Sequence, residues 1–230
     1  MKLKIYLKAL LAIPFYFWNL IVIGNTHKTQ IAKWYFYQGE QKHLINHNLN
    51  SNSIVFDVGG YLGMFSDAII QKYDPNIYIF EPIKEYVEIL ESKYKNNTKV
   101  HIINKGLSSK ASEVDIHKTG ETSSLYLEPE NKLKDLSSEK IELIDISEVF
   151  QNLNISSIDL CSINIEGAEY DLLDAIISRD LIQKIKVIQI QFHQNIPEYK
   201  KRRKNVIKKL LVTHNVSYSF PYVWECFSIK

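Results

Sequence analysis

From about residue 30 the chain alternates between two hydrophobic rhythms. Unbroken apolar runs at SIVFDV (53–58), IYIF (77–80), VHIIN (100–104), IDLCSIN (158–164) and KVIQIQF (186–192) predict buried strands. Between them the apolar positions fall at helical spacing. In YLGMFSDAIIQKY (61–73), Leu62, Phe65, Ile69 and Ile70 share a face, and Asp74-Pro75-Asn76 stops the helix. IKEYVEILESKY (83–94) starts just after Pro82, and ISEVFQNLN (146–154) and EYDLLDAIIS (169–178) repeat the pattern. From 105 to 140 the rhythm loosens into short strand candidates and polar loop. A basic helix is predicted at about 198–214, and SYSFPYVWECFSI reads as a terminal β-hairpin turning near Pro221. Strands alternating with helices predict an α/β fold, a mostly parallel doubly wound sheet closed by an antiparallel hairpin.

The first residues follow a different pattern. Lys2, Lys4 and Lys8 precede ALLAIPFYFWNLIVI (9–23), which no small-x-small cleavage site follows. Pro14 and Asn19 interrupt the run, and it falls short of the roughly 20 apolar residues of a membrane span. Phe15, Tyr16, Phe17 and Trp18 suit a bilayer interface, with the lysines on anionic headgroups. The plainer expectation is a helix packed on the domain or on a second subunit. The chain therefore divides into an apolar, basic extension over 1–30 and one domain over 31–230.

Composition changes this picture little. The 230 residues are 45% hydrophobic and 23% charged with a net charge of +2, a balance that points to no nucleic-acid partner. Cys161 and Cys226 lack metal-ligand spacing and are expected as buried free thiols of a reducing, cytoplasmic compartment. His27, His43, His47, His101, His117 and His214 form no metal constellation, so no metal is expected. In YKKRRKNVIKKLL (199–211), Val206, Leu210 and Leu211 are expected on a core-facing side beneath a solvated basic one; the alternative is a landing site for an anionic acceptor or membrane.

The chemistry concentrates where strands end. In doubly wound sheets ligands bind beyond the carboxyl ends of the strands. That rule gathers Asp57 through Gly63, Glu81, Asn104, Asn164 through Glu166, and His193 onto one edge. The loop IVFDVGGYLGMF (54–65) places Gly59, Gly60, Tyr61 and Gly63 between the first strand and its helix, where free N–H groups are expected. It is neither a Walker loop nor a G-x-G-x-x-G fingerprint. Its D-x-G-x-x-x-G pattern puts Asp57 before the glycines, where an acid suits an ammonium better than a pyrophosphate. Glu81, 24 residues on, ends the second strand where an acid accepts hydrogen bonds from ribose hydroxyls. A nucleoside bearing an amino acid meets both demands, and S-adenosyl-L-methionine is such a molecule.

VFDVGGYLG, IFEP and IDLCSINIEGAEYDLL, in that order and spacing, resemble the FkbM family of S-adenosylmethionine-dependent methyltransferases over about residues 50–195. The resemblance implies a Rossmann-like class I methyltransferase fold and O-methylation of sugars or polyketides. It implies that Asp57, Gly59 and Gly63 form the cofactor loop, that Glu81 holds the ribose, and that Asn164, Glu166 and Glu169 stand at the catalytic edge. Gly60 and Tyr61 replace the family's common Ala-Asn, and Ser162 and Asn164 replace a common Lys and Asp. Asn164 accepts a hydrogen bond but is no base at neutral pH. His193, at the end of the fifth strand, is the expected general base, with Glu166 orienting the acceptor or cofactor. Thr122, Ser123 and Ser124 are candidates for the acceptor pocket. The expected function is O-methylation of a small-molecule or glycan hydroxyl; the alternative is a non-catalytic interaction module on the same fold.

Overall fold

The computed structural model describes residues 27–117 and 138–230. The run 1–23 and Thr122, Ser123 and Ser124 lie outside the described residues. Seven strands form one sheet: β1 (Ile54–Val58), β2 (Asn76–Phe80), β3 (Val100–Ile103), β7 (Leu160–Ile163), β8 (Val187–Ile190), β9 (His214–Phe220) and β10 (Trp224–Ile229). Their spatial order is β3-β2-β1-β7-β8-β10-β9. Neighbours from β3 to β8 pair in parallel, and β10 is antiparallel to both β8 and β9. The mostly parallel sheet and terminal hairpin match the architecture expected from the apolar rhythm.

Alternation within each central strand builds two cores, one on each face. Val55, Ile77, Ile79 and Leu160 pack with Ile69 of α2 (Met64–Tyr73) and Leu90 of α3 (Lys84–Tyr94). Phe56, Val58, Phe80 and Ile163 point the other way. There they meet α4 (Ile146–Asn152), α5 (Glu169–Ser178) and α6 (Tyr199–Thr213) through Phe150, Leu173 and Leu210. Cys161 and Cys226 are buried and unpaired.

Three features depart from the expected pattern. Residues 106–117 and 138–145 contribute a second sheet, β4 (Gly106–Ser108), β6 (Ser138–Asp145) and β5 (Ser112–His117), in the order β4-β6-β5. Leu211 turns out to be exposed while Val206 and Leu210 are buried, because a helix stripe takes i and i+4 here and leaves i+5 outside. The basic helix spends most of its charge on acids: Arg202 pairs with Asp171, Lys209 with Asp174, Lys201 with Glu198, and Arg203 with the buried Glu225. An α-helix α1 (His27–Phe36) precedes the sheet and seats Trp34 against Phe220 and Tyr218 of β9.

Candidate active site

The carboxyl ends of β1, β2, β7 and β8 form one rim, and two cavities open on it. The hairpin turn reaches the same rim because β10 runs antiparallel, so that Glu225 pairs with Ile190. The first cavity lies between the glycine loop, the β2 end and the second sheet. Gly59, Tyr61, Glu81, Ile83, Asn164 and Glu166 line it, with Leu107, Ile116, Ile141 and Leu143 as an apolar wall. The second is lined by Glu166, Phe192, His193, Tyr222, His27, Gln191, Gln194 and Asn195. Glu166 belongs to both.

The glycine loop is held by the β2 end. The N–H groups of Gly59 and Gly60 both donate to Phe80 O, at 3.0 and 3.3 Å, and Gly63 N donates to Gly60 O. Tyr61, at φ +46°, donates its N–H to Glu81 Oε2 at 2.8 Å. These amides are therefore not the free donors expected from the loop's position; the turn folds them inward, and the loop offers a close surface instead of an anion nest. Gly59 is the residue that lets the ends of β1 and β7 approach each other. It sits at φ +92°, and a Cβ there would lie 2.1 Å from the main-chain oxygen of Asn164. Gly60 packs on Ile79 and Gly63 on Leu90 and Tyr94, so both serve the helix and sheet packing behind the loop.

The two acids of this side are buried, Glu81 against the cavity and Asp57 behind it. Asp57 is 4% exposed, does not line the cavity, and accepts a hydrogen bond from Ser66 Oγ at 2.5 Å. Burial pushes its carboxyl up to about 7; the Ser66 hydrogen bond opposes the shift and the Glu81 charge adds to it. Glu81 accepts from Tyr61 N and, through Oε1, from Ile83 N at 2.9 Å. Burial raises its carboxyl above the ordinary range, against those two backbone donors. Among the described residues no ion pair gives either acid a cation. Asn164 Oδ1 is a buried acceptor with no hydrogen-bond donor among them. Asn104 is exposed beyond β3 and lies outside both cavity linings.

The other side is built on a tight turn. Glu166 and Gly167 take φ +51° and +110° between β7 and α5. Glu169, the first residue of α5, is fully buried; its Oε2 accepts from Gly167 N at 2.8 Å and its Oε1 from His193 N at 2.7 Å. The His193 ring lies between two carboxylates, Nε2 3.3 Å from Glu166 Oε1 and Nδ1 3.4 Å from Glu169 Oε1. Burial disfavours charge on the ring, but the two acids outweigh it and raise His193 to about 9. The histidine therefore carries its second proton at neutral pH.

Sequence reasoning missed the apolar wall from the second sheet, the part of His27, and the backbone work of Glu169. His27 sits on the second cavity with nothing but its imidazole to mark it. The wall carries a faint signal: Val114 and Ile116, like Ile141 and Leu143, alternate with polar residues.

The seven-stranded order and the rim define a Rossmann-like methyltransferase. The Methyltransferase FkbM domain model matches residues 57–220. The chain belongs to that family and is an S-adenosylmethionine-dependent methyltransferase. Among the solved structures that share its fold, two illustrate the likeness. One is a protein of Streptococcus mutans assigned as a methyltransferase and solved in complex with SAH, with 11% identity over 84% of this chain and 97% of the other, at a TM-score of 0.52. The other is a protein of Clostridium thermocellum assigned as an rRNA methylase, with 10% identity over 84% and 94% of the two chains, at a TM-score of 0.51. No curated protein matches the chain.

Proposed function

We propose that this methyltransferase is an O-methyltransferase whose acceptor is a sugar hydroxyl of a surface glycan or a related metabolite. The observation that carries the proposal is the shared position of Glu166, which lines both cavities and stands 3.3 Å from His193 Nε2. One cavity suits the cofactor and the other the acceptor, with a carboxylate and an imidazole where they meet.

The first cavity fits S-adenosylmethionine. The unpartnered Asn164 Oδ1 suits the α-ammonium group as acceptor, and Glu81 keeps lone pairs for ribose hydroxyls beyond its two backbone donors. Ile83, Tyr86 and Leu143 offer an apolar slot for the base, and Gly59 borders the cavity. Asp57 supports the loop through Ser66, from behind the cavity.

The second cavity suits a polyol. Its lining combines polar residues able to bond hydroxyls, Gln191, Gln194 and Glu166, with Phe192 and Tyr222, whose rings suit a sugar face. When bound, the cofactor would supply an electrophilic methyl group to the acceptor oxygen, with its sulfur as the leaving group that keeps the bonding electrons. The acceptor proton goes to Nε2 of neutral His193, while Glu166 holds the hydroxyl in line. His193 loses its resident proton at about 9, so turnover rises with pH towards that value.

Incubation with methyl-labelled S-adenosylmethionine and a panel of surface-glycan precursors tests the proposal. Label in a sugar methyl ether supports it; label only in nitrogen or carbon acceptors contradicts it. Turnover also separates this proposal from a non-catalytic module, which would bind the cofactor without consuming it.

Peripheral association with the inner face of the membrane is part of the same proposal. Among the described residues no helix is long and apolar enough to cross a membrane. Tyr35, Phe36 and Tyr37 are exposed at the end of α1, and the aromatic run of residues 15–18 precedes them in the sequence. Deleting residues 1–23 should move the protein from the membrane fraction to the soluble one with cofactor binding unchanged. An insoluble, unfolded product would assign the segment to the core.

A further inference from the structure

We propose that Glu169 is a positioning residue of the transfer step. Its buried carboxylate ties the His193 main chain, the His193 ring and the Glu166–Gly167 turn into one unit, so that Nε2 faces Glu166 and the acceptor cavity. The inference rests on the methyl-transfer reading for its purpose, and on geometry alone for its existence.

The geometry is unusual for a helix-start acid. Such a residue ordinarily faces solvent and favours the helix dipole. Glu169 has no exposure and bonds nothing in its own helix: one oxygen takes Gly167 N and the other takes His193 N from the end of β8. Both partners are amide donors, so the side chain acts purely as acceptor, the role of a carboxylate. The positive-φ turn that aims Glu166 is thereby fastened to the strand end that carries His193.

The second consequence concerns the ring. At 3.4 Å the contact of Nδ1 with Glu169 Oε1 is an ion-pair approach and not an aligned hydrogen bond. It engages the Nδ1 edge and leaves Nε2 towards Glu166. The two carboxylates stand at nearly equal distance, but the Glu166 side chain is 23% exposed and Glu169 is 0% exposed. Water screens the first more than the second, so Glu169 is the stronger holder of the imidazolium. The remaining charged and titratable neighbours do not compete for this part. Tyr170 Oη donates to His193 O, and Tyr222 and His27 stand on the cavity wall. Arg203, over the rings of Phe192 and Tyr222, is neutralised by Glu225. The arrangement is that of an acid that orients a catalytic histidine and stabilises its charged form without itself exchanging protons.

Titration of the His193 ring by NMR, in the full chain without cofactor, tests this without any turnover. The wild-type midpoint is expected at about 9. Glu169→Gln should lower it by roughly one pH unit or more, and Glu166→Gln by less. Where acceptor turnover is measurable, the alkaline limb should move with the ring. A purely structural Glu169 would lower the melting temperature and leave the midpoint in place, and that result overturns the proposal. So does a larger shift in Glu166→Gln, or a wild-type midpoint near 6.5. Should Glu169→Gln fail to fold, Glu169→Asp keeps the charge but withdraws it by one methylene, and a midpoint lowered from wild type supports the proposal while an unchanged one overturns it. Absence of methyl transfer would remove the proposed function and leave the titration result standing.

Discussion

Glu81 and Glu169 do the same backbone work at opposite ends of one rim. Each is buried, and each bridges two main-chain N–H groups across a positive-φ turn: Tyr61 and Ile83 for Glu81, Gly167 and His193 for Glu169. They differ in their company. Glu81 has Asp57 nearby and no cation among the described residues, and burial raises both carboxyls. Glu169 has a built-in cation in His193. A buried acid without a cation on the first side favours a positively charged ligand, as the sulfonium cofactor is, whereas the second side is balanced by its own imidazolium, which must lose its proton before it can act as base. The cofactor side is thus made to bind and the acceptor side to react.

The largest expected effect breaks the reacting side alone. His193→Ala should lower turnover by roughly a hundredfold or more, the range of general base catalysis, and abolish its rise with pH. Steady-state rates across pH 6–10 would check both, and a normal rate at saturating acceptor would leave catalysis to positioning and Glu166.

Next comes the main-chain packing that shapes the cofactor side. Gly59→Ala places a Cβ against the Asn164 carbonyl in a left-handed conformation that costs about 1–2 kcal/mol in any L-residue. Cofactor affinity should fall roughly tenfold or more, with far-UV circular dichroism unchanged.

A smaller effect sharpens the charge difference. With its carboxyl at about 7, folded Asp57 holds a proton that the unfolded chain has released above about 4. The Asp57 contribution to stability should therefore decline as pH rises from about 4 through 7, and that of His193, raised to about 9, declines above 6.5. Asp57→Asn keeps an acceptor for Ser66 and removes the buried charge. It should flatten the lower part of that decline and stabilise the protein at pH 8 by on the order of 2 kcal/mol. Denaturant melts at pH 5 and 8 measure it; a destabilised variant at pH 8 would mean that the charge has a partner.

How much of this was legible in the sequence depended on how local its cause was. The central strands announced themselves because a sheet covered on both faces needs unbroken apolar runs, and Glu81 because its spacing from the glycine loop follows from one helix and two strands. The inward turn of the Gly59 and Gly60 amides was not legible, since their acceptor, Phe80 O, belongs to another strand end. Strand candidates were visible over 105–140, but their assembly into a second sheet was not, because the strands are half-polar and β5 and β6 pair across residues 118–137. The resemblance put Glu169 at the catalytic edge, but its two backbone bonds were not legible; only folding brings it to His193, 24 residues away.

The most direct test of a binding side and a reacting side on one rim is a calorimetric titration of S-adenosylmethionine into wild type, Glu81→Gln and His193→Ala. Glutamine at 81 retains one acceptor oxygen for the loop, where alanine would release both backbone donors. The account predicts a loss of roughly tenfold or more for Glu81→Gln, as a charge-assisted hydrogen bond is worth about 1.5–3 kcal/mol, and wild-type affinity for His193→Ala. Unchanged affinity in Glu81→Gln, or a loss confined to His193→Ala, would contradict it.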